Sequence, residues 1–114
     1  MSTVFEDFVN AGRGRPCGIF KGDPLAAEYS RRLTRSQRKK ILRGGPISIV
    51  VCEYLVKSKI IRDVKISGTS ITEKQLLELL WDNIGNSEGG NDRAEYLYKK
   101  MVKEKYPPPK RRKC

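Results

Sequence analysis

The first apolar positions, Val4, Phe5, Phe8 and Val9, share one helical face, behind a Thr3-Val-Phe-Glu6 capping pattern and ahead of Gly12. They predict a short helix. Residues 12–22, GRGRPCGIFKG, hold glycines and a proline at close spacing and read as a loop. Asp23-Pro24 then starts a helix, a cap acceptor followed by a ring already fixed at helical φ, and the pattern runs to Gly44-Gly45. Thr34-Arg-Ser-Gln37 is itself a capping box, which leaves a break at Thr34 open.

From Pro46 the run ISIVVCEYLV is apolar and rich in β-branched residues, and it fits either a buried helix or a buried strand. Val64 and Ile66 alternate with Asp63, Lys65 and Ser67, so 60–67 reads as a short strand that 47–52 would partner. Thr72-Glu-Lys-Gln75 opens the plainest helix, carrying Leu76, Leu77, Leu79, Leu80, Trp81 and Ile84 before Gly85. A last helix runs from Asp92 to about Tyr106, where prolines stop it. The pattern describes a mainly α domain of four to five helices over 1–106, or an α+β variant with a short two-stranded ribbon. A disordered basic tail over 107–114 follows.

Charge changes the picture more than composition does. Lys and Arg number 24 against 13 Asp and Glu in 114 residues, a net +11, and there is no histidine. A surplus of this size repels itself, which points to an anionic partner such as RNA or DNA. The absence of histidine removes Ser-His and Cys-His nucleophile pairs and mixed Cys/His zinc sites, so no catalytic residue, metal or cofactor is expected. Cys17, Cys52 and Cys114 are too scattered for a metal pair or a disulfide framework and read as reduced thiols. No apolar run reaches the roughly 18 residues of a membrane span, and MSTVFEDFVN lacks the basic start of a secretory signal.

The charge is uneven: residues 1–45 carry +6 and 108–114 carry +4, whereas 72–91 carry −3. If 24–43 is one helix, Arg31, Arg32, Arg35, Arg38, Lys39 and Arg43 lie within an arc of about 140°, with Ala26, Tyr29, Leu33 and Ile41 opposite. Such a ridge can follow phosphates. The last helix repeats the arrangement, with Lys99, Lys100 and Lys103 around Tyr96, a ring able to stack on an unpaired base.

Arg13-Gly14-Arg15-Pro16 resembles the core of an AT-hook, the minor-groove element of high-mobility-group A chromatin proteins. The resemblance implies a backbone that its glycine lets lie deep in a narrow groove, with Arg13 and Arg15 along the floor. Pro107-Pro108-Pro109 followed by Lys110, Arg111, Arg112 and Lys113 resembles a monopartite nuclear-import signal. That resemblance implies capture by an importin-α-type receptor and a nuclear, or nucleocytoplasmic shuttling, location. Glu53, Asp63 and Lys65 resemble the acid, acid-x-Lys arrangement of restriction-endonuclease-like nucleases, although the acids are closely spaced and the usual Pro-Asp is missing.

The apolar residues of 76–84 cover about 200° of helix, more than one packing surface needs, and this is also the only acidic segment. Leu77, Leu80, Trp81 and Ile84 are therefore candidates for a partner interface or a homodimer. Two readings emerge. One is a small nucleic-acid-binding protein of low sequence specificity, contacting RNA or DNA through phosphates and acting neither as an enzyme nor at a membrane. The other is a viral accessory or adaptor protein that docks a host factor on 76–84.

Overall fold

The computed structural model of the chain describes residues 4–65, 68–86 and 91–104. Within them run six α-helices: α1 (Val4–Gly12), α2 (Pro24–Arg31), α3 (Arg35–Leu42), α4 (Ile49–Lys57), α5 (Glu73–Asn86) and α6 (Asp92–Glu104). A 3-10 turn spans Gly18–Phe20, and β1 (Ile47–Ser48) pairs antiparallel with β2 (Ser70–Ile71), Ile47 opposite Ile71. The mainly helical class with a two-stranded ribbon therefore holds. Thr3 and the tail lie outside the described residues.

Two expected elements are placed differently. The segment 24–43 is two helices, because the Thr34 hydroxyl accepts from the Gln37 N–H (3.1 Å) and the Gln37 carbonyl oxygen accepts from the Thr34 N–H (2.9 Å). That reciprocal pair starts a new helix, which raises the helix number. The ribbon forms, but 60–65 is not its second strand. The Arg62 N–H, which a ladder would have used, donates instead to Asn83 of α5 (2.8 Å). The ambiguous run after Pro46 is both things in turn: two residues of strand, then helix, switched by the Ser48 hydroxyl accepting from the Val50 N–H (3.2 Å).

Three helices close in the same way. At the end of α1 the Arg15 N–H reaches the Asn10 carbonyl (2.8 Å) and the Gly14 N–H reaches that of Ala11 (3.2 Å), with Gly14 at φ +82°. At the end of α3 Gly45 bonds back to Lys40 (2.7 Å) and Gly44 to Ile41 (3.1 Å), with Gly44 at φ +81°. These are Schellman caps, and both are followed by proline, as Arg-Gly-Arg-Pro and Arg-Gly-Gly-Pro. The third cap, on α4, places Lys59 at φ +61° without a glycine.

The core joins all six helices. Phe8 of α1, Phe20 of the 3-10 turn and Tyr54 of α4 form an aromatic cluster with centroids 5.2–5.8 Å apart, and Tyr29 of α2 lies 6.2 Å from Tyr54. Leu76, Leu77 and Leu80 of α5 and Ala94, Leu97 and Met101 of α6 complete it. One polar hub sits at its margin. The Tyr54 hydroxyl donates to Asp23 (2.6 Å), the Arg93 guanidinium reaches Asp23 and the Tyr54 oxygen (3.4 Å each), and Asp23 caps α2 through the Leu25 N–H (3.0 Å).

Candidate nucleic-acid interface

Between Glu28 and Glu53 the chain has seven cationic residues and no acidic one, and the fold puts most of them on the surface. On α3 only Ile41 is buried, while Arg35, Lys39 and Lys40, with Arg43 at the cap, are exposed and Arg38 is half-buried. Among the described residues these five cations form no ion pair and no side-chain hydrogen bond. The six-residue arc expected from one continuous helix does not form, since Arg31 and Arg32 leave on α2 and the chain restarts at Thr34. Arg32 stacks over the Tyr29 ring (4.4 Å) and reaches Glu28 (4.0 Å) at a solvent-exposed site, where such a pair is worth little.

The fold brings together cations that the sequence separates. Gly12 packs so closely on α2 that a Cβ there would lie 2.4 Å from the Ser30 hydroxyl, and the Arg31 Nε donates to the Gly12 carbonyl (3.3 Å). The exposed Arg13 and Arg15 therefore leave α1 beside the C-terminal end of α2. The same loop is held at its other end by Cys17, whose thiol donates to the buried Asp7 (3.1 Å), and Asp7 also receives the Lys100 ammonium of α6 (2.9 Å). The loop that carries Arg13 and Arg15 is thus tied to α2 at one end and to the Asp7–Lys100 pair at the other.

The AT-hook resemblance at 13–16 is not carried by the geometry. Gly14 is consumed in closing α1, and the backbone there turns instead of running extended. On α6, Lys99, Lys103 and Tyr96 are exposed, as the helical spacing suggested, but Lys99 pairs with Glu95 (3.2 Å) and Lys100 is committed to Asp7. Lys100 is a structural residue first. Lys110, Arg111, Arg112 and Lys113 lie outside the described residues.

Other candidates lose their geometry. Leu77 and Leu80 are buried in the core and are not available to a partner, while Trp81 and Ile84 are half-buried and Trp81 packs on Tyr98 (5.1 Å). Most of the wide apolar arc of α5 packs inside the domain, with Trp81 and Ile84 partly covered. Glu53 sits exposed on a helix and Asp63 and Lys65 lie in irregular chain, so the strand-borne arrangement of the nuclease resemblance is not formed. Among the described residues no group of three or more His, Cys, Asp or Glu is placed to hold a metal, and no helix is long and apolar enough to cross a membrane.

Titration follows the same lines. The Asp7 carboxylate, accepting the Cys17 S–H, holds that thiol above its ordinary value, with burial adding to the effect. Burial pushes Cys52 up to about 12. Both stay protonated at neutral pH and neither is an activated nucleophile. Lys40 was not singled out by the sequence, because on the continuous helix it fell outside the arc; the R-K-K run was the available signal. No family model matches this chain, and no curated protein or solved structure is significantly similar to it.

Proposed function

We propose that this protein binds RNA or DNA, mainly through backbone phosphates and with low sequence specificity. The observation that supports this reading is the cationic surface of α3, whose charges are unpaired among the described residues, with further exposed arginines on α2 and the Arg13–Arg15 loop. A surface of one sign, with its charges not satisfied internally, is costly to a free protein and useful to a polyanion binder. Arg35, Lys39, Lys40 and Arg43 are the principal contacts, with Arg13, Arg15, Arg31, Arg32 and Arg38 beside them and Tyr96, Lys99 and Lys103 as an outer set. The tail, Lys110–Lys113, serves as an importin-α-type signal and places the protein in the nucleus or in transit to it. The activity is binding, not turnover.

The test is fluorescence anisotropy of labelled single- and double-stranded oligonucleotides across a salt series. Wild-type affinity should fall linearly with log salt, and each phosphate contact contributes about 0.9 to the slope on duplex DNA or about 0.7 on single strands. The triple variant Arg35→Gln, Lys39→Gln, Arg43→Gln should lower the slope by about 2–3. An unchanged slope and affinity would refute the reading. For the tail, alanine at residues 110–113 should spread a fluorescent fusion through the cell, and retained nuclear signal would remove the import role.

A further inference from the structure

Between α3 and the ribbon lies a cleft of about 110 Å³, lined by Gln37, Lys40, Pro46, Ser48, Thr69 and Ser70. With about 10–15 Å³ of such space sufficient for one water, it has room for several waters or one small tetrahedral ion. Among the described residues no acidic side chain lines it. Local structure has also used up several of its acceptors. The Gln37 carbonyl oxygen is taken by the Thr34 N–H (2.9 Å), so what Gln37 has left is its NH2 group. The Ser48 oxygen, in a residue only 3% exposed, accepts from Val50 (3.2 Å) and leaves its hydroxyl proton to give. The Thr69 carbonyl is taken by the Ile49 N–H (2.9 Å) and the Lys40 carbonyl by Gly45 (2.7 Å). The lining residues are donor-rich: they carry one ammonium (Lys40), one amide NH2 (Gln37) and three hydroxyls (Ser48, Thr69 and Ser70).

We propose that this cleft binds a phosphate group, the one carried by a nucleic-acid strand lying along α3. Five donor-bearing side chains around one cavity, one of them cationic and none among the described residues a carboxylate, disfavour a cation and outnumber the roughly four lone-pair sites of a carboxylate. The three free oxygens of a phosphate suit the set better, and Lys40 supplies the charge. The inference rests on the nucleic-acid reading for the carrier of the phosphate, while the anion site stands on the donors alone.

The experiment is a titration of the isotopically labelled full-length protein with inorganic phosphate, followed by NMR, against sodium chloride at matched ionic strength. Phosphate should produce saturable shifts in the Gln37 side-chain NH2 and the Thr69 and Ser70 amides that chloride does not. Lys40→Gln should weaken that binding about tenfold, the loss of one charge-assisted hydrogen bond, and Lys74→Gln, an exposed cation on α5 outside the cleft, should leave it within about twofold. Shifts that chloride reproduces, or equal weakening by both variants, overturn the site as mere ionic atmosphere. Oligonucleotides with a 5′-phosphate or a 5′-hydroxyl then separate the sources. A 5′-phosphate preference lost in Lys40→Gln assigns a terminal phosphate, and equal affinities with competition by inorganic phosphate assign an internal one. Oligonucleotide binding without phosphate-specific shifts overturns the cleft alone; phosphate-specific shifts without oligonucleotide binding overturn the carrier alone.

Discussion

Replacing Tyr54 by Phe removes one oxygen at the margin of the core and little else. The ring stays packed between Phe8, Phe20 and Tyr29, while Asp23 loses its shortest hydrogen bond, the 2.6 Å donation from the Tyr54 hydroxyl. A hydrogen bond to a charged group is worth about 1.5–3 kcal/mol, and Tyr54 is buried, so little solvent screening discounts it. Asp23 keeps the Leu25 N–H and a longer contact to Arg93 (3.4 Å), which places the expected loss near the middle of that range, about 2 kcal/mol. For a domain of this size that corresponds to about 8 °C in melting midpoint. Urea unfolding of wild type and variant should show a lower midpoint at an unchanged slope. A double-mutant cycle with Asp23→Asn, which keeps the cap oxygen, should give a coupling of about 1 kcal/mol or more. A loss below about 0.5 kcal/mol, within the range of inconsequential substitutions, would refute the view that this bond ties α2 to α4.

The same hub sets the acid limit. Burial raises the Asp23 carboxyl, but the hydrogen bonds from Tyr54, the Leu25 and Ala26 N–H groups and Arg93 outweigh it and hold the group below its ordinary 3.8. A depressed folded-state value stabilises the protein above pH about 3.8 and is lost as pH falls through the folded value, so acid unfolding should steepen there, and should begin at higher pH in Tyr54→Phe. Gly12→Ala should cost about 1–3 kcal/mol by overpacking, since its Cβ would lie 2.4 Å from the Ser30 oxygen and 2.7 Å from its Cβ, and a thermal midpoint equal to wild type would show that α1 and α2 do not cross so closely. Lys59→Gly should stabilise by about 0.5–1 kcal/mol, because the residue sits at φ +61° at a helix cap, and a loss in urea titrations would contradict that geometry.

Much of the fold could be read before any coordinate. Asp23-Pro24, Thr34-x-x-Gln37 and Thr72-x-x-Gln75 are local signals, and local hydrogen bonds decide them, so α2, α3 and α5 begin where the residues say. The ribbon partner could not be read, because Asp63-Val64-Lys65 alternates like a strand while the competing partner, Asn83, lies far along the chain. Arg13-Gly14-Arg15-Pro16 is a similar case. Its glycine serves equally well in an extended hook or in a left-handed cap, and only the carbonyls of Asn10 and Ala11 decide between them. The α5 leucines looked like surplus surface because the layers that cover them, α6 above all, are long-range partners. The anchoring of the Arg13–Arg15 loop was hidden for the same reason, since it depends on Arg31 meeting Gly12 and on Cys17 and Lys100 meeting Asp7.

What lets α3 present so many charges is where its stability comes from. A helix of eight residues is too short to persist alone, at least about 12 being needed, and α3 buries only Ile41. Its ends supply what its sides do not: a two-way capping box at Thr34 and Gln37, a Schellman cap at Gly44 and Gly45, and buried Leu33 and Ile47 anchoring the flanks. Folding therefore depends on the polar and glycine residues at the termini, and the outward cations carry almost none of it. This separation gives Arg35, Lys39 and Arg43 variants their meaning. They should keep the helix and alter only what the surface meets, whereas changes at Thr34, Gln37 or Gly44 would release the helix together with any contact it makes.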